Sequence, residues 1–363
     1  MKQYVFFVAS CLCVTKMTFY EFIKLNFFCF FSRPSMTHLA ERKIIEQIAR
    51  QQRTSDRLVK GIGDDCAVVA GADGIVDLWT MDTLIESVHF DLSWHPPQLL
   101  GRKAVSVNVS DIAAMGGTPR FALFALGLPS ACTKEVVDRL LDGVFTALSD
   151  YDVVLAGGDT VFSPERIMLT ITICGEMAGK DVCYRDSALP GDEVWVSGHL
   201  GNAACGLELC RRHMQHDHRY VQLVNAHCDP VPQVVLGRLL AGSGLIHAMM
   251  DLSDGLATDL AHVCKASNVG AEIEADQVPL AAPLITAAES LGVAALDFAL
   301  SGGEDYQLVF TVPGENRAAL EKLCAQHGRP IFRLGKIVDG TKVFLHQDGQ
   351  RRDITFSGYE HRF

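Results

Sequence analysis

The 363-residue sequence contains none of the common nucleotide-binding loops. Gly179-Lys180 is followed by Asp181, and Cys174 stands where a Gly-x4-Gly-Lys-Ser/Thr loop needs its first glycine. The His-Arg-Asp and Asp-Phe-Gly motifs of protein kinases are also missing. A nucleotide bound by this chain would have to be held in another way, such as by glycine-rich turns with metal-bridging carboxylates.

Three further absences narrow the function classes. None of the 12 cysteines forms a Cys-x2-Cys pair, which argues against a zinc knuckle. Scattered cysteines with apolar neighbours indicate reduced core residues and a cytoplasmic protein. The formal net charge is −11 and there is no long basic run, so nucleic acid is not an expected partner. In the apolar first 35 residues, no stretch reaches the roughly 18 to 20 apolar residues of a membrane span, because Lys16, Glu21 and Lys24 interrupt it, and no membrane partner is expected.

The first 35 residues differ from the rest of the chain, because they hold eight of its 19 Phe. Lys2 and the apolar residues 4–14 resemble a short signal peptide. Met36, by contrast, precedes an amphipathic helical pattern and could be the true start. We interpret residues 1–35 as an extension that is not part of the fold, with Met36 as the start.

Length and patterning predict two mixed domains. The predicted strands are 75–80, 121–128, 153–156, 166–174, 193–197, 271–274, 306–312 and 341–345, and the predicted helices are 99–115, 134–149, 202–212, 233–241, 255–267 and 315–327. This alternation favours an α/β or α+β fold. The turn cluster at residues 187–192 places a boundary near residues 178–190. The predicted domains are therefore 36–178 and 186–363.

Six short acidic motifs are present, each expected where an apolar run meets a turn: residues 61–65 (GIGDD), 80–83 (TMDT), 108–111 (NVSD), 157–160 (GGDT), 251–255 (DLSDG) and 302–305 (GGED). Carboxylates that converged without counter-ions would repel one another and raise each other's pKa values. Divalent cations remove that repulsion, and hard oxygen ligands favour magnesium shared with substrate phosphates. The motifs predict a magnesium-dependent site for a phosphorylated substrate.

Taken singly, each motif also has a structural interpretation. Residues 61–65 could form a tight turn, and Ser253 and Asp254 could cap a helix beginning near Gly255. That helix start would equally favour an anionic ligand. Gly157 and Gly158 follow an apolar run and look like a strand exit where backbone N–H groups approach a phosphate.

Taken together and in order, the motifs resemble the thiamine-monophosphate kinase family, within the superfamily of phosphoribosylaminoimidazole synthetase-like ATP-binding proteins. The resemblance also rests on His89-Phe90, on Arg185 with residues 190–192 and on residues 358–361, and it covers about residues 39–363. It implies a two-domain PurM-like fold. The N-terminal domain would bind ATP and magnesium and form a β-barrel across a homodimer, and the C-terminal α/β domain would complete the active site.

The resemblance also implies roles for individual residues, with several magnesium ions as cofactor and ATP as co-substrate. The implied metal ligands are Asp65, Thr80, Met81 (through its backbone carbonyl), Asp82, Asp111, Asp159, Asp251 and Asp254. The implied ATP contacts are Gly158, Asp159, Arg185 and Ser253. The implied substrate contacts are His89, Glu304 and Phe356, the last offering its ring face to a cationic heterocycle.

The implied activity is ATP-dependent phosphorylation of thiamine monophosphate to thiamine diphosphate. Direct in-line transfer is the expected mechanism, because the acceptor phosphate is already ionised and no catalytic protein nucleophile is needed. Two positions depart from the family pattern: Met81 replaces a small hydroxyl residue, and residues 227–233 lack the usual arginines. The second departure leaves one phosphate contact open.

Other members of the superfamily are alternatives. A selenophosphate synthetase would carry a reactive Cys near its glycine-rich N-terminus, and a hydrogenase-maturation relative would carry a C-terminal Cys, whereas this chain ends in Arg362-Phe363. An aminoimidazole synthetase-like enzyme and a non-catalytic nucleotide-binding protein are further alternatives. Intact acids at all six motifs argue against the non-catalytic protein, because binding alone would not require so many metal ligands.

Overall fold

The computed structural model describes residues 41–361. The extension predicted for residues 1–35 therefore lies outside the described residues. The described helices are α1 (Glu41–Ala49), α2 (Pro97–Ala114), α3 (Lys134–Asp150), α4 (Asn202–Arg211), α5 (Val221–Cys228), α6 (Val234–Ala241), α7 (Leu256–Ser267), α8 (Ala282–Leu291), α9 (Ala295–Ser301) and α10 (Arg317–Gln326).

The described strands form two sheets. They are β1 (Leu58–Lys60), β2 (Ala67–Ala70), β3 (Ile75–Ile85), β4 (Thr118–Leu128), β5 (Val154–Phe162), β6 (Met168–Ala178), β7 (Glu193–Val196), β8 (Met249–Asp251), β9 (Gly270–Glu274), β10 (Leu308–Val312), β11 (Phe332–Val338), β12 (Val343–Gln347) and β13 (Gln350–Asp353). The predicted mixed α/β character is confirmed.

The compact unit that contains both sheets spans residues 46–360. Residues 41–45 and His361 belong to a second, small unit, in which the His361 N–H donates to the Glu41 carboxylate at 3.1 Å. We keep 36–178 and 186–363 as proposed domain limits, because β1–β6 lie in the first range and β7–β13 in the second.

The first sheet has the strand order β1-β2-β3-β6-β4-β5. β3 and β6 pair antiparallel from Ile75 to Ile85, and only the edge strand β5 runs parallel to its neighbour β4. One face of the sheet packs on α2 and α3, and Leu78 and Ile171 lie in a core with Val109 and Leu140. The helices therefore cover one face of this sheet.

The second sheet has the strand order β13-β12-β9-β11-β7-β10-β8. Helix α7 packs on it, and Leu256 and Leu260 share a core with Val196 and Ile273. The short strand β8 forms one edge, where it pairs antiparallel with β10. This edge carries Asp251 at the last position of β8.

From the sequence, each of the six acidic motifs is expected where an apolar run meets a turn. For three of the motifs this prediction is wrong. Residues 80–83 lie inside β3, where Asp82 pairs with Ile171 of β6. Residues 108–111 lie inside α2. Residues 157–160 lie inside β5, where a Cβ on Gly158 would come 1.9 Å from the Phe124 carbonyl oxygen. The glycine at that position permits close strand packing inside the sheet.

Several elements have no counterpart in the predicted set, namely α5, α8, α9, β1, β2, β8, β11 and β13. Most are shorter than nine residues, so little periodic signal accumulates in them. In the described part of the chain, no single helix is long and apolar enough to cross a membrane. By length and composition alone, two consecutive helices, Ala282–Leu291 and Ala295–Ser301, are together long and apolar enough to cross one, although they are bent by 106° where they meet.

Candidate functional site

Helix α2 is the central element of the candidate site. It begins at Pro97, where the missing N–H costs nothing, and 13 of its 18 residues are buried. The buried set includes Lys103, Ser106, Asn108 and Ser110, each at most 1% exposed. Polar groups buried to this extent need partners, since an unpaired one costs stability. The partners of Lys103, Asn108 and Ser110 define the site.

Three polar side chains in the last two turns of α2 connect it to strands of both sheets. The Asn108 Oδ1 accepts a hydrogen bond from the Asp82 backbone N–H in β3 at 3.0 Å. The Thr80 hydroxyl, also in β3, donates to the Asp111 carboxylate. The Ser110 hydroxyl donates to Asp251 in β8 at 2.5 Å. The helix therefore brings acidic residues distant in sequence into one place.

Three of the predicted metal ligands form a compact carboxylate cluster. Asp65, Asp111 and Asp251 each offer an oxygen, and these oxygens lie within 4.8 Å of one another. Asp65 Oδ2 is buried, and no described residue donates a hydrogen bond to it. Hard, closely spaced oxygens with an unsatisfied buried atom fit a magnesium ion. We refer to these three residues as the carboxylate cluster.

The cluster is electrostatically unfavourable when no cation neutralises it. Burial raises the pKa of Asp65 to about 7 and that of Asp251 to about 6. Burial, together with Asp82 and Asp251, raises the pKa of Asp111 well above its ordinary value. Burial raises the pKa of Asp82 to about 6 as well, and Asp82 raises the pKa of both Asp111 and Asp251. The structure therefore places Asp82 close to the cluster, and its role as a metal ligand stays a prediction.

Arg185 lies beside the cluster, paired with the residue 61–65 segment. Its Nη2 is 2.5 Å from Asp65 Oδ1, and its Nε is 3.4 Å from Asp64 Oδ1. Lys60 lies 3.7 Å from Asp64 and 2.5 Å from Asp186. Two aspartates thus hold Arg185, which is a predicted ATP contact. A tight turn alone would not account for these ion pairs of residues 61–65.

The start of α7 is capped by a residue other than those considered from sequence. Gly255 is the N-cap with φ of 104°, a conformation that favours glycine. The buried Asp259 carboxylate accepts hydrogen bonds from the backbone N–H groups of Asp254 and Gly255, both at 3.0 Å. Asp259 therefore fills the capping role suggested for Ser253 and Asp254. Asp254 is close enough to the cluster for its charge to raise the pKa of Asp251.

A second charged group surrounds Glu304, a predicted substrate contact. Lys103 Nζ lies 2.7 Å from Glu304 Oε1, and His227 Nδ1 lies 2.8 Å from Oε2. The Glu304 backbone N–H donates to the Ser253 carbonyl at 2.8 Å, with φ of 70° at Glu304. The next residue, Asp305, accepts hydrogen bonds from the N–H groups at the start of α4. Glu304 is therefore fixed through both backbone and side chain.

Four other predicted site residues lie outside these two groups. His89 Nδ1 accepts the Ile85 N–H at 3.0 Å, and Phe356 packs edge-on to His262 with ring centroids 5.1 Å apart. Asp159 is exposed on the edge strand β5 and accepts the Thr160 N–H. Met81 points outward from β3 with 64% of its surface exposed, so only its backbone is available as a ligand. The roles of all four remain predictions.

Sequence reasoning did not single out several residues that the structure places in the site. These residues are Lys60, Lys103, His227, Asp259 and Tyr306. The strongest available signal was Lys103, which follows Arg102 and leads into a largely apolar helical run. A charged residue in such a position requires a buried partner.

The raised carboxyl pKa values predict that magnesium stabilises the protein in a pH-dependent way. An acid whose pKa rises from 3.8 to about 6 or 7 on folding contributes stability below about pH 4, and this is lost as the pH rises through the folded value. Metal binding should remove that loss. We expect saturating Mg²⁺ to raise Tm by about 5 °C at about pH 8 and by much less at about pH 5.5.

Differential scanning fluorimetry with Mg²⁺, and with Na⁺ at matched ionic strength, measures this effect. The Asp111→Asn variant is the matched protein control, because it should lose most of the gain at the higher pH. An equal gain at both pH values, or an undiminished gain in the variant, would contradict the assignment of the cluster as a metal site.

Comparison with known proteins identifies the family. The profiles of the AIR synthase related protein N-terminal and C-terminal domains match residues 63–177 and 190–348. Thiamine-monophosphate kinase of Bacillus subtilis is 35% identical over 83% of this chain and 93% of its own length. The enzyme of the same name from Haemophilus influenzae is 36% identical over 89% of this chain and 98% of its own length.

A solved structure agrees with these matches. The structure of AaThiL complexed with AMPPCP and TMP superposes with a TM-score of 0.78 and 33% identity, covering 89% of this chain and 97% of that one. The predicted two-domain PurM-like fold is confirmed. On its sequence and its fold, the chain belongs to the thiamine-monophosphate kinase family of AIR synthase related proteins.

Proposed function

We propose that this protein transfers the γ-phosphoryl group of ATP to the phosphate of thiamine monophosphate, giving ADP and thiamine diphosphate, the last step of thiamine diphosphate biosynthesis. The observation that carries the proposal is the carboxylate cluster, in which Asp65, Asp111 and Asp251 converge from a loop, a helix of the first half and a strand of the second. Family membership supports the choice of substrates, since the relatives are named for this reaction.

The residues present fit magnesium. Asp65, Asp111 and Asp251 would hold it, with Thr80, Asp82, Asp159, Asp254 and the Met81 carbonyl as further predicted ligands. When bound, magnesium supplies positive charge that lets two phosphates approach each other. The thiol of Cys66, next to Asp65 in sequence, does not suit a covalent step, because burial and Asp111 raise its pKa well above the ordinary value. Direct in-line transfer follows as the proposed mechanism.

ATP is proposed to lie beside Arg185, Gly158, Asp159 and Ser253. Arg185 is oriented by Asp65 and Asp64, so its guanidinium is held next to the cluster before any nucleotide binds. An arginine held in this way presents several N–H donors to phosphate oxygens without first losing side-chain entropy. The solved complex of AaThiL with AMPPCP supports an ATP-like ligand for this family.

Thiamine monophosphate is proposed to contact His89, Glu304 and Phe356. Its thiazolium ring is a permanent cation, and an aromatic face and a carboxylate are the two side-chain groups that attract such a ring. Burial raises the pKa of Glu304, but Lys103 and His227 outweigh burial and hold that pKa well below its usual value. Glu304 is therefore an anion at neutral pH.

A cytoplasmic homodimer is the proposed assembly. The face of the first sheet opposite α2 and α3 carries exposed apolar side chains in two rows across neighbouring strands. Trp79 and Phe121 share one row through Cys174, and Met81 and Leu123 share the next through Thr172. A second copy placed on this face would bury these rows and complete the β-barrel implied by the family resemblance.

One assay tests the proposed function. Purified protein with ATP, Mg²⁺ and thiamine monophosphate should form thiamine diphosphate and ADP in equal amounts, and omission of any one component should abolish the product. ATP hydrolysis that does not depend on thiamine monophosphate would favour another ATP-using member of the superfamily. A phosphorylated protein trapped after incubation with ATP alone would contradict direct transfer.

A further inference from the structure

Lys103 is buried at a position where a lysine is costly. It lies in α2, is 0% exposed, and is followed in sequence by the buried apolar residues Ala104 and Val105. Removing an ammonium group from water costs several kcal/mol unless a close counter-charge compensates. The counter-charge is Glu304, 2.7 Å away, from the segment between α9 and β10. This ion pair therefore joins α2 to the second half of the chain.

His227 occupies the other oxygen of the same carboxylate. It is 0% exposed in α5, and its ring packs against Trp94 and His95 with centroids 5.4 Å and 5.9 Å away. Burial and Lys103 lower the pKa of His227, so the ring is neutral at neutral pH. Each oxygen of Glu304 thus has one fixed partner, a cation on Oε1 and a neutral ring nitrogen on Oε2.

The spacing along α2 relates this ion pair to the carboxylate cluster. Lys103 and Ser110 are seven residues apart, which places them on one face two turns apart, and Ser110 bonds Asp251 of the cluster. Seven residues of helix correspond to roughly 10 Å. One rigid helix therefore sets both the position of the cluster and the position of Glu304, at a separation suited to a phosphate ester whose cationic ring lies several bonds from its phosphate.

We propose that Lys103 and His227 are positioning residues that hold Glu304 as an oriented carboxylate, and that this arrangement gives the enzyme its preference for a cationic ring in the phosphorylated acceptor. The inference rests on the proposed function and adds to it the basis of acceptor selection. Lys103 and His227 act through Glu304 and do not take part in the transfer itself. Loss of either should weaken acceptor binding and leave the transfer step intact.

The first test separates the KM of each substrate from kcat. The Lys103→Met variant keeps the chain length and removes the charge. It should raise the KM for thiamine monophosphate by about tenfold or more, with the KM for ATP and kcat changed less than about threefold. Ser106→Ala is the matched control, because Ser106 is a buried polar residue on the same helix, beside Tyr151. It should change neither KM.

His227 provides a second variant that does not place an unpaired charge in the core. His227→Leu removes the nitrogen beside Glu304 Oε2 and should raise the KM for thiamine monophosphate several-fold. His227→Asn returns an amide donor near the position of Nδ1 and should restore most of the loss. A purely structural role would not distinguish these two variants in this way.

Two further measurements test whether the residues act through Glu304. In a Glu304→Gln background, Lys103→Met should cause little additional rise in the KM for thiamine monophosphate, because the carboxylate it positions is gone. A neutral isostere of thiamine monophosphate, with carbon in place of the quaternary nitrogen, should bind the wild-type protein more weakly than the natural acceptor. Lys103→Met should shrink this difference by about tenfold or more.

The outcomes distinguish this inference from the proposed function. Absence of thiamine diphosphate formation by the wild-type protein would overturn the proposed function. If the wild-type protein is active, two results with Lys103→Met would overturn the inference alone. One is a lower kcat with an equal rise in both KM values, and the other is an unchanged preference for the cationic acceptor. If Lys103→Met does not yield folded protein, the His227 pair decides, and equal KM values for His227→Leu and His227→Asn would overturn the inference.

Discussion

Replacing Asp111 by Asn is expected to lower kcat by more than about a hundredfold. Asp111 lies at the centre of the site, because its carboxylate belongs to the cluster, accepts the Thr80 hydroxyl and is close enough to Asp82 for their charges to repel. Asn keeps the shape and one carbonyl oxygen but removes the charge that would hold magnesium. Initial rates of thiamine diphosphate formation over a range of Mg²⁺ concentrations measure the loss.

The same substitution should affect stability in the opposite direction. The pKa of Asp111 is raised by burial and by neighbouring carboxylates, so its ionised form opposes folding at neutral pH when no metal is bound. The amide introduced by Asp111→Asn would carry no such charge, so the metal-free variant should have a Tm equal to or above that of the wild-type protein. Opposite effects on activity and stability are expected when a functional group is held in an unfavourable place.

Asp77→Asn is the matched control for this experiment. Asp77 lies in β3, as do Thr80 and Asp82, but it is an odd number of residues from both, so its side chain lies on the other face of the sheet. It should retain kcat within about twofold, as an ordinary surface substitution does. Near-normal activity of Asp111→Asn, or loss of activity together with a large drop in Tm, would refute the assignment of Asp111 as a metal ligand.

The long periodic elements of the fold were predictable from sequence, whereas the short ones were not. The pattern predicted a helix over 99–115 and one over 134–149, and the structure has Pro97–Ala114 and Lys134–Asp150. β8 has three residues, Met249–Asp251, and its place at the edge of the second sheet depends on pairing with β10, 57 or more residues later. Pairing at such a distance leaves no local trace in the sequence.

The acidic part of the site was predictable because each acid carries a local sequence signal. Thr80 and Asp82 interrupt an apolar run, and this interruption was interpreted as a turn, whereas the strand continues because β6 pairs with it to Ile85. The basic part was not predictable, because the need for Lys103 is visible only once Glu304, 201 residues later, lies 2.7 Å away. Sequence spacing shows which groups could bind metal but not which groups neutralise each other.

Replacing both Gly101 and Gly143 by Ala is expected to lower the free energy of unfolding by about 4 kcal/mol or more. The two glycines lie where α2 and α3 cross. A Cβ on Gly101 would come 2.1 Å from the Leu140 carbonyl oxygen, and one on Gly143 would come 1.9 Å from the Gln98 carbonyl oxygen. Backbone atoms cannot move aside as flexible side chains can, so the helices would have to separate.

The sign of this effect distinguishes packing from helix propensity. In a helix interior Ala is favoured over Gly by about 1 kcal/mol, so propensity alone predicts that both substitutions stabilise the protein. Urea unfolding of the single and double variants measures which contribution is larger. Gly314→Ala is the control, because Gly314 has an ordinary φ and no heavy atom near the position of a Cβ, so its change should be within about 0.5 kcal/mol.

Activity should fall together with stability in these variants, in contrast to Asp111→Asn. Lys103, Asn108, Ser110 and Asp111 all project from α2, so a displacement of this helix from α3 moves the partners of Glu304, Asp82 and Asp251 at once. Both the KM for thiamine monophosphate and kcat should therefore change. Unaltered kinetics in a destabilised Gly143→Ala protein would show that the contacts of α2 with β3 and β8, and not its packing on α3, fix the geometry of the site.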